Sequence, residues 1–259
     1  MILDEILAHK REEIAAAKQR VPLEELERRV RGRRASRGFR AALADSGQRP
    51  ALIAELKRKS PSRGMLRERF DPVRLAQELQ EAGASALSVL TDERFFGGSL
   101  EFLRDVAQFT EIPVLRKDFI IDPYQIYEAA FHQADAVLLI VQVLTDAQLA
   151  HFVTLASQFG MDALVEVHSE ADLERALKAD AHLIGINHRD LTTFTMHPDT
   201  TQRLVPRIPA GRVIVAESGV QSRDDIARLA RLGVHAVLVG EALMTAPDVA
   251  AKARELLGR

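Results

Sequence analysis

Cysteine and tryptophan are both absent from the 259 residues of this chain. Without cysteine there is no disulfide, no thiolate metal site and no cysteine nucleophile. Lack of disulfides fits a reducing compartment. Aromatic residues are scarce, at 5%, so the core must be aliphatic. The formal net charge is only -2, which leaves no global field to attract nucleic acid. No apolar run approaches the ~18 residues of a transmembrane helix. Asp4 and Glu5 interrupt the apolar pattern at the start, so it does not read as a signal peptide. The expectation is a cytoplasmic protein without a membrane or nucleic-acid partner, with nothing to suggest more than a monomer.

What is present is ordinary globular material, 47% hydrophobic and 28% charged. Eight apolar runs of strand length recur from residue 51 onward: 51–54, 86–90, 112–115, 136–141, 163–165, 182–186, 213–216 and 236–239. Helical stretches follow them at 71–82, 99–109, 123–132, 146–159, 170–179, 199–205, 222–232 and 248–257. Capping residues open several of these, including Asp71-Pro72, Asp122-Pro123 and Ser222, and Gly83, Gly160 and Gly233 close others. Eight strand–helix units without a composition break predict a closed parallel (β/α)8 barrel, for which ~250 residues is typical. An open doubly wound sheet would usually carry a G-x-G-x-x-G turn after its first strand, and none is present. The whole chain, 1–259, reads as one barrel domain, with residues 1–48 forming an N-terminal helical extension. Ile2, Leu3, Ile6, Leu7 and Ile14 recur at helical spacing there, and Pro22 can open a second helix through Leu23, Leu26 and Val30. The arginine-rich stretch from Arg28 to Arg37 has no interleaved aromatics and the whole chain is not basic, so a solvated helix end and a linker packed on the barrel are expected rather than a nucleic-acid patch. A third reading has part of it bordering an anionic substrate.

The runs end in groups that strand formation does not require. Glu55 and Lys57 lie two apart and so face the same way, Lys117 closes the third run, and Glu166, Asn187 and Glu217 close later ones. On a parallel barrel these ends converge on one rim, as in a proton-transfer site. Two lysines in one pocket are expected to lower at least one lysine pKa, which suits a general acid. Glu166 and His168 share a face and could ligate a metal, but without a third ligand a general base is the better reading of Glu166. His188 alternates away from Asn187 and Arg189 and reads as non-catalytic. The long loop 58–70 would overhang the rim as a lid or binding loop. Ser218-Gly219 and Gly240-Glu241, in register after the last two strands, read as a phosphate cradle.

These residues fall in motifs that resemble the indole-3-glycerol phosphate synthase family. The motifs are Glu55-Leu56-Lys57-Arg58-Lys59-Ser60-Pro61-Ser62, Ser88-Val89-Leu90-Thr91-Asp92, Phe95-Phe96-Gly97-Gly98-Ser99, Leu115-Arg116-Lys117-Asp118-Phe119, Leu164-Val165-Glu166-Val167-His168, Gly185-Ile186-Asn187, Arg189-Asp190-Leu191, Ala216-Glu217-Ser218-Gly219 and Val239-Gly240-Glu241. They run in family order over nearly the whole chain. Two positions depart from the pattern: His188 stands where the family often has Asn, and Glu241 where some members have Ser.

The resemblance implies ring closure, decarboxylation and dehydration of 1-(2-carboxyphenylamino)-1-deoxyribulose 5-phosphate, with no cofactor and no metal. It implies Lys117 as the acid of ring closure and Lys57 as an acid in dehydration. Glu166 and Glu55 are unranked base candidates, and Asn187 and Glu217 orient groups. Ser60, Arg189, Ser218, Gly219, Gly240 and Glu241 would bind the substrate's phosphate and carboxylate, and Phe96 and Phe119 would wall its ring. The related phosphoribosylanthranilate isomerase family uses a cysteine that this chain lacks. A Schiff-base aldolase acting through Lys57 or Lys117, or a non-catalytic phosphosugar-binding barrel, are the remaining alternatives.

Overall fold

The computed structural model describes residues 2–47 and 50–259, so the expected end of the extension at residue 48 lies outside the described residues. Eight parallel strands close into a barrel: β1 (Ala51–Leu56), β2 (Ala86–Leu90), β3 (Val114–Lys117), β4 (Ala136–Ile140), β5 (Asp162–Val167), β6 (Leu183–Asn187), β7 (Val213–Glu217) and β8 (Ala236–Val239). Each pairs with its sequence neighbours, and β8 pairs back onto β1 with Ala51 opposite Ala236. All eight predicted runs are therefore strands. The third begins later than its apolar run because Pro113 has no N–H for the ladder, although its carbonyl still accepts from Leu87.

The helices between strands fall within a residue or two of the predicted stretches. Asp122 and Thr145 cap Pro123–Phe131 and Asp146–Gln158 through reciprocal bonds with Gln125 and Gln148. Two short helices, Glu93–Phe96 and Glu241–Met244, were not predicted, being too brief to show a period. Loop 58–70 forms a small hairpin, Lys59–Ser60 against Gly64–Met65.

Alternation within the strands divides the core in two. Outward residues such as Leu52, Val137, Val165 and Val237 pack against the helices. Inward residues such as Ile53, Leu115, Leu138, Leu164 and Leu238 fill the barrel. The extension closes both ends of this inner core. Helix α1 (Ile2–Arg20) brings Leu3 and Ile6 to it, whereas α3 (Phe39–Ala44) inserts fully buried Phe39 and Leu43. Helix α2 (Leu23–Val30) packs against the helix Pro123–Phe131.

The arginine-rich stretch is a structural clasp. Arg34 and Arg37 grip the buried Asp135 carboxylate at 2.9 and 2.6 Å, just before β4. Arg33 and Arg37 also donate to the carbonyls of Ala134 and Thr110. These are the packed-linker contacts expected from the sequence. No helix among the described residues is long and apolar enough to cross a membrane.

Candidate active site

The strand ends deliver their polar residues to one rim. Lys117, Asn187 and Glu217 are the last residues of β3, β6 and β7. Glu55 and Glu166 are the penultimate residues of β1 and β5, and Lys57 follows β1 directly. Lys57 Nζ lies 2.6 Å from Glu55 Oε1, and Lys117 Nζ lies 3.7 Å from both Glu55 Oε2 and Glu217 Oε2. A cavity of about 290 Å³ opens above them. All fourteen side chains or glycines singled out from the sequence line it, from Glu55 and Ser60 on β1 and its loop to Gly240 and Glu241 after β8. The rings of Phe96 and Phe119 stand on one side with centroids 6.2 Å apart.

Electrostatics distinguish the carboxylates. Burial alone would raise the Glu55 carboxyl, but the charges of Lys57 and Lys117 overcome it and hold it below its usual range. Burial also raises Glu217, and the neighbouring Glu166 charge adds to it, so Glu217 sits well above its ordinary value despite Lys117. Two buried carboxylates this close disfavour each other's charge, which is part of what pushes Glu217 upward. Glu166 Oε1 is buried and makes no hydrogen bond among the described residues. His168 Nε2 lies 3.4 Å from it, and no third metal-type side chain joins them among the described residues.

One expectation is reversed. The two lysines do not depress Lys117. Burial pulls its pKa down, but Glu55, Glu217 and Glu166 together outweigh that and raise it above 10.5. The neighbours that decide its charge are carboxylates brought by three other strands, not Lys57.

Several residues complete the site without having been read from the sequence. Gly185 stands opposite Glu166 on β6, and a Cβ there would overlap Glu217 Oε1. A glycine inside a strand was the readable sign of such a close approach. Gly240 serves the same purpose for Glu55, whose carboxylate a Cβ would meet, so this glycine makes room for a carboxylate as well as lining the cavity. Lys10 reaches in from α1 to contact Asp92 at 3.0 Å and Asp118 at 2.9 Å, beside Phe96 and Lys117. Its signal was a lone charge on the apolar stripe Ile6–Lys10–Ile14. Arg63, from the hairpin loop, pairs with Glu241 at 3.0 Å. Arg116 faces outward, as alternation requires, and donates to the Gln125 carbonyl at 2.6 Å.

The family model for indole-3-glycerol phosphate synthase matches residues 3–256. The chain belongs to the indole-3-glycerol phosphate synthase family. Curated members are close to it along their full lengths. The protein of that name from Roseiflexus sp. (strain RS-1) is 48% identical over 266 residues, covering 99% of this chain and 98% of the relative. The one from Albidiferax ferrireducens is 49% identical over 250 residues, covering 95% and 94%. Among solved structures, 3-hexulose-6-phosphate synthase from Salmonella typhimurium superposes with a TM-score of 0.65 at 16% identity, covering 80% of this chain and 97% of that one. Thiamine phosphate pyrophosphorylase from Pyrococcus furiosus gives 0.62 at 19% identity, covering 80% and 93%. At such identities these two speak for the barrel fold alone.

Proposed function

We propose that the rim converts 1-(2-carboxyphenylamino)-1-deoxyribulose 5-phosphate to indole-3-glycerol phosphate, and that its side chains divide the work as follows. The supporting observation is Lys117 held as an ammonium among Glu55, Glu217 and Glu166 at the mouth of the barrel. The aromatic carbon bearing the carboxylate attacks the sugar carbonyl, and Lys117 delivers a proton to the carbonyl oxygen as the bond forms. Carbon dioxide then leaves, its bonding electrons returning to the ring. In the dehydration Lys57 supplies the proton that turns the hydroxyl into water, and a base takes the ring proton.

Glu166 is the base. Glu55 is paired with both lysines and held in its charged form, which makes it a counter-ion that keeps them aimed and protonated. Glu217, pushed upward by burial and the neighbouring Glu166 charge, stands 3.7 Å from Lys117 and helps orient it and the substrate hydroxyls. Asn187, whose Oδ1 accepts from the Ser218 hydroxyl and the Arg189 N–H, ties the end of β6 to the turn after β7. Ser60, Arg189, Ser218, Gly219, Gly240 and Glu241 surround the phosphate and carboxylate, with Glu241 contributing its backbone N–H. Phe96 and Phe119 cover the aniline ring. The phosphorylated substrate does not cross a membrane unaided, so we place the activity in the cytoplasm.

The test is to mix EDTA-treated protein with this substrate and follow indole fluorescence. Product without added metal supports the reading. Binding without turnover would leave a phosphosugar-binding barrel, and a borohydride-trapped imine would point to an aldolase instead.

A further inference from the structure

His188 is buried behind the cavity wall, on the side of β6 facing away from the rim groups. Its Nδ1 lies 2.9 Å from the Ser218 carbonyl oxygen and its Nε2 lies 2.6 Å from Thr201 Oγ1. A carbonyl oxygen only accepts, so Nδ1 carries the proton. The neutral ring then accepts at Nε2 from the Thr201 hydroxyl, which fixes the tautomer. Thr201 is fully buried on the helix Thr200–Leu204, and burial of His188 favours its neutral form.

The residue held in this way is strained. Ser218 has φ 67, one of four non-glycine residues with positive φ among the described residues, and Gly219 follows at φ 82. A left-handed serine costs on the order of 1–2 kcal/mol and persists only where its surroundings over-determine it. Two contacts do so: His188 on the carbonyl and Asn187 Oδ1, at 2.8 Å, on the hydroxyl. The peptide unit is planar and trans, so a carbonyl drawn toward His188 turns the Gly219 N–H the opposite way. Ser218 and Gly219 line the cavity, whereas His188 does not.

We propose that His188, braced by Thr201, is a positioning residue: it touches no substrate but holds the Ser218–Gly219 turn in the left-handed form that presents the Gly219 N–H to the substrate phosphate. This rests on the reading that Ser218 and Gly219 bind phosphate. Its consequence is specific. Losing the Nδ1 donor lets the peptide rotate and weakens phosphate binding, while Lys117 and Glu166 stay where they are.

Three variants of the full chain test it, with KM and kcat from indole fluorescence and competitive inhibition by inorganic phosphate as readouts. His188→Leu fills the space without a donor and raises both KM and the phosphate inhibition constant roughly ten-fold, the loss of about one hydrogen bond, with kcat within about two-fold. His188→Asn places an amide N–H at the position of Nδ1 and restores both constants. Thr201→Val keeps the shape behind the ring, frees the tautomer and gives the same change as His188→Leu in weaker form, so it carries the test if the leucine variant does not fold. Phosphate competing equally in wild type and both donor-deficient variants overturns the role of His188 alone. So does a fall in kcat with KM unmoved. Phosphate failing to compete in the wild type overturns the phosphate reading itself, and this inference with it.

Discussion

Two carboxylates are buried at opposite ends of the same barrel, and their surroundings shift them in opposite directions. Asp135, just before β4, accepts from the guanidinium groups of Arg34 and Arg37 and from the backbone N–H groups of Arg37 and Val114. Burial alone would raise its pKa, but these donors overcome that and hold it below the usual range. Glu217, at the end of β7, has neither oxygen in a hydrogen bond among the described residues and is pushed well above its usual range. The floor has spent its charge on holding the fold together. The rim keeps groups underpaired, so that they can interact with something that arrives. Buried polar groups normally find their partners, and a cluster that does not is where chemistry is to be sought.

The largest effect that would separate the two ends is on rate. Lys117→Ala should lose about 10²–10⁴ in kcat, the usual worth of a proton-transfer group, while retaining a cooperative unfolding transition. Turnover near wild type in that variant would remove Lys117 from its role. The matching change at the floor, Asp135→Ala, should cost about 3–5 kcal/mol of stability by leaving two arginines uncompensated, with kcat of the folded fraction unchanged. Urea denaturation and indole fluorescence on the same samples check both. If Asp135→Ala lowers kcat as well, the ends are not independent.

Gly185→Ala sharpens the comparison more gently. The new Cβ competes with the Glu217 carboxylate for space, and overpacking of this kind costs about 1–3 kcal/mol. Its kcat should fall along with stability, because the displaced group belongs to the rim. Unchanged kcat would show that the position of Glu217 is not critical.

The smallest expected effect is a slope. Glu217 has a raised folded pKa, so between its ordinary 4.5 and that raised value the folded protein binds more protons than the unfolded chain. Its contribution to stability therefore rises as pH falls through that window. Asp135 and Asp118 are lowered, so theirs is present above 3.8 and is lost as pH falls through their folded values. Replacing Glu217 with Gln should remove the first slope and leave the second. Denaturation midpoints measured from pH 7 downward check this, and an unaltered slope above 4.5 in the variant would mean Glu217 is ionised in the native protein.

The barrel was legible because its period is local. The apolar runs of β1, β5 and β7 and the capping residues at Asp122 and Ser222 each act within a few positions of themselves. The rim was legible for a related reason: a charged residue ending an apolar run has few uses other than a site. What stayed hidden depended on partners far along the chain. The arginine-rich stretch was expected to pack on the barrel, but its buried partner Asp135, about a hundred positions away and 2.9 Å from Arg34, could not be named. His188 read as non-catalytic, and its contact with the Ser218 carbonyl, thirty positions on, was not visible in the sequence.

By itself the sequence determined the eight strand–helix units, the family and the residues gathered at the rim, since periodicity, capping and motif order are written in the order of the residues. Only the tertiary structure decided which way the pKa values of those groups are shifted. A pKa depends on burial and on every charge within a few ångströms, and those neighbours come from different strands. Thus Lys117 is raised by Glu55, Glu217 and Glu166 rather than lowered by Lys57, and Glu217 differs from Glu55 because β1 brings a lysine to one and β5 brings a carboxylate to the other.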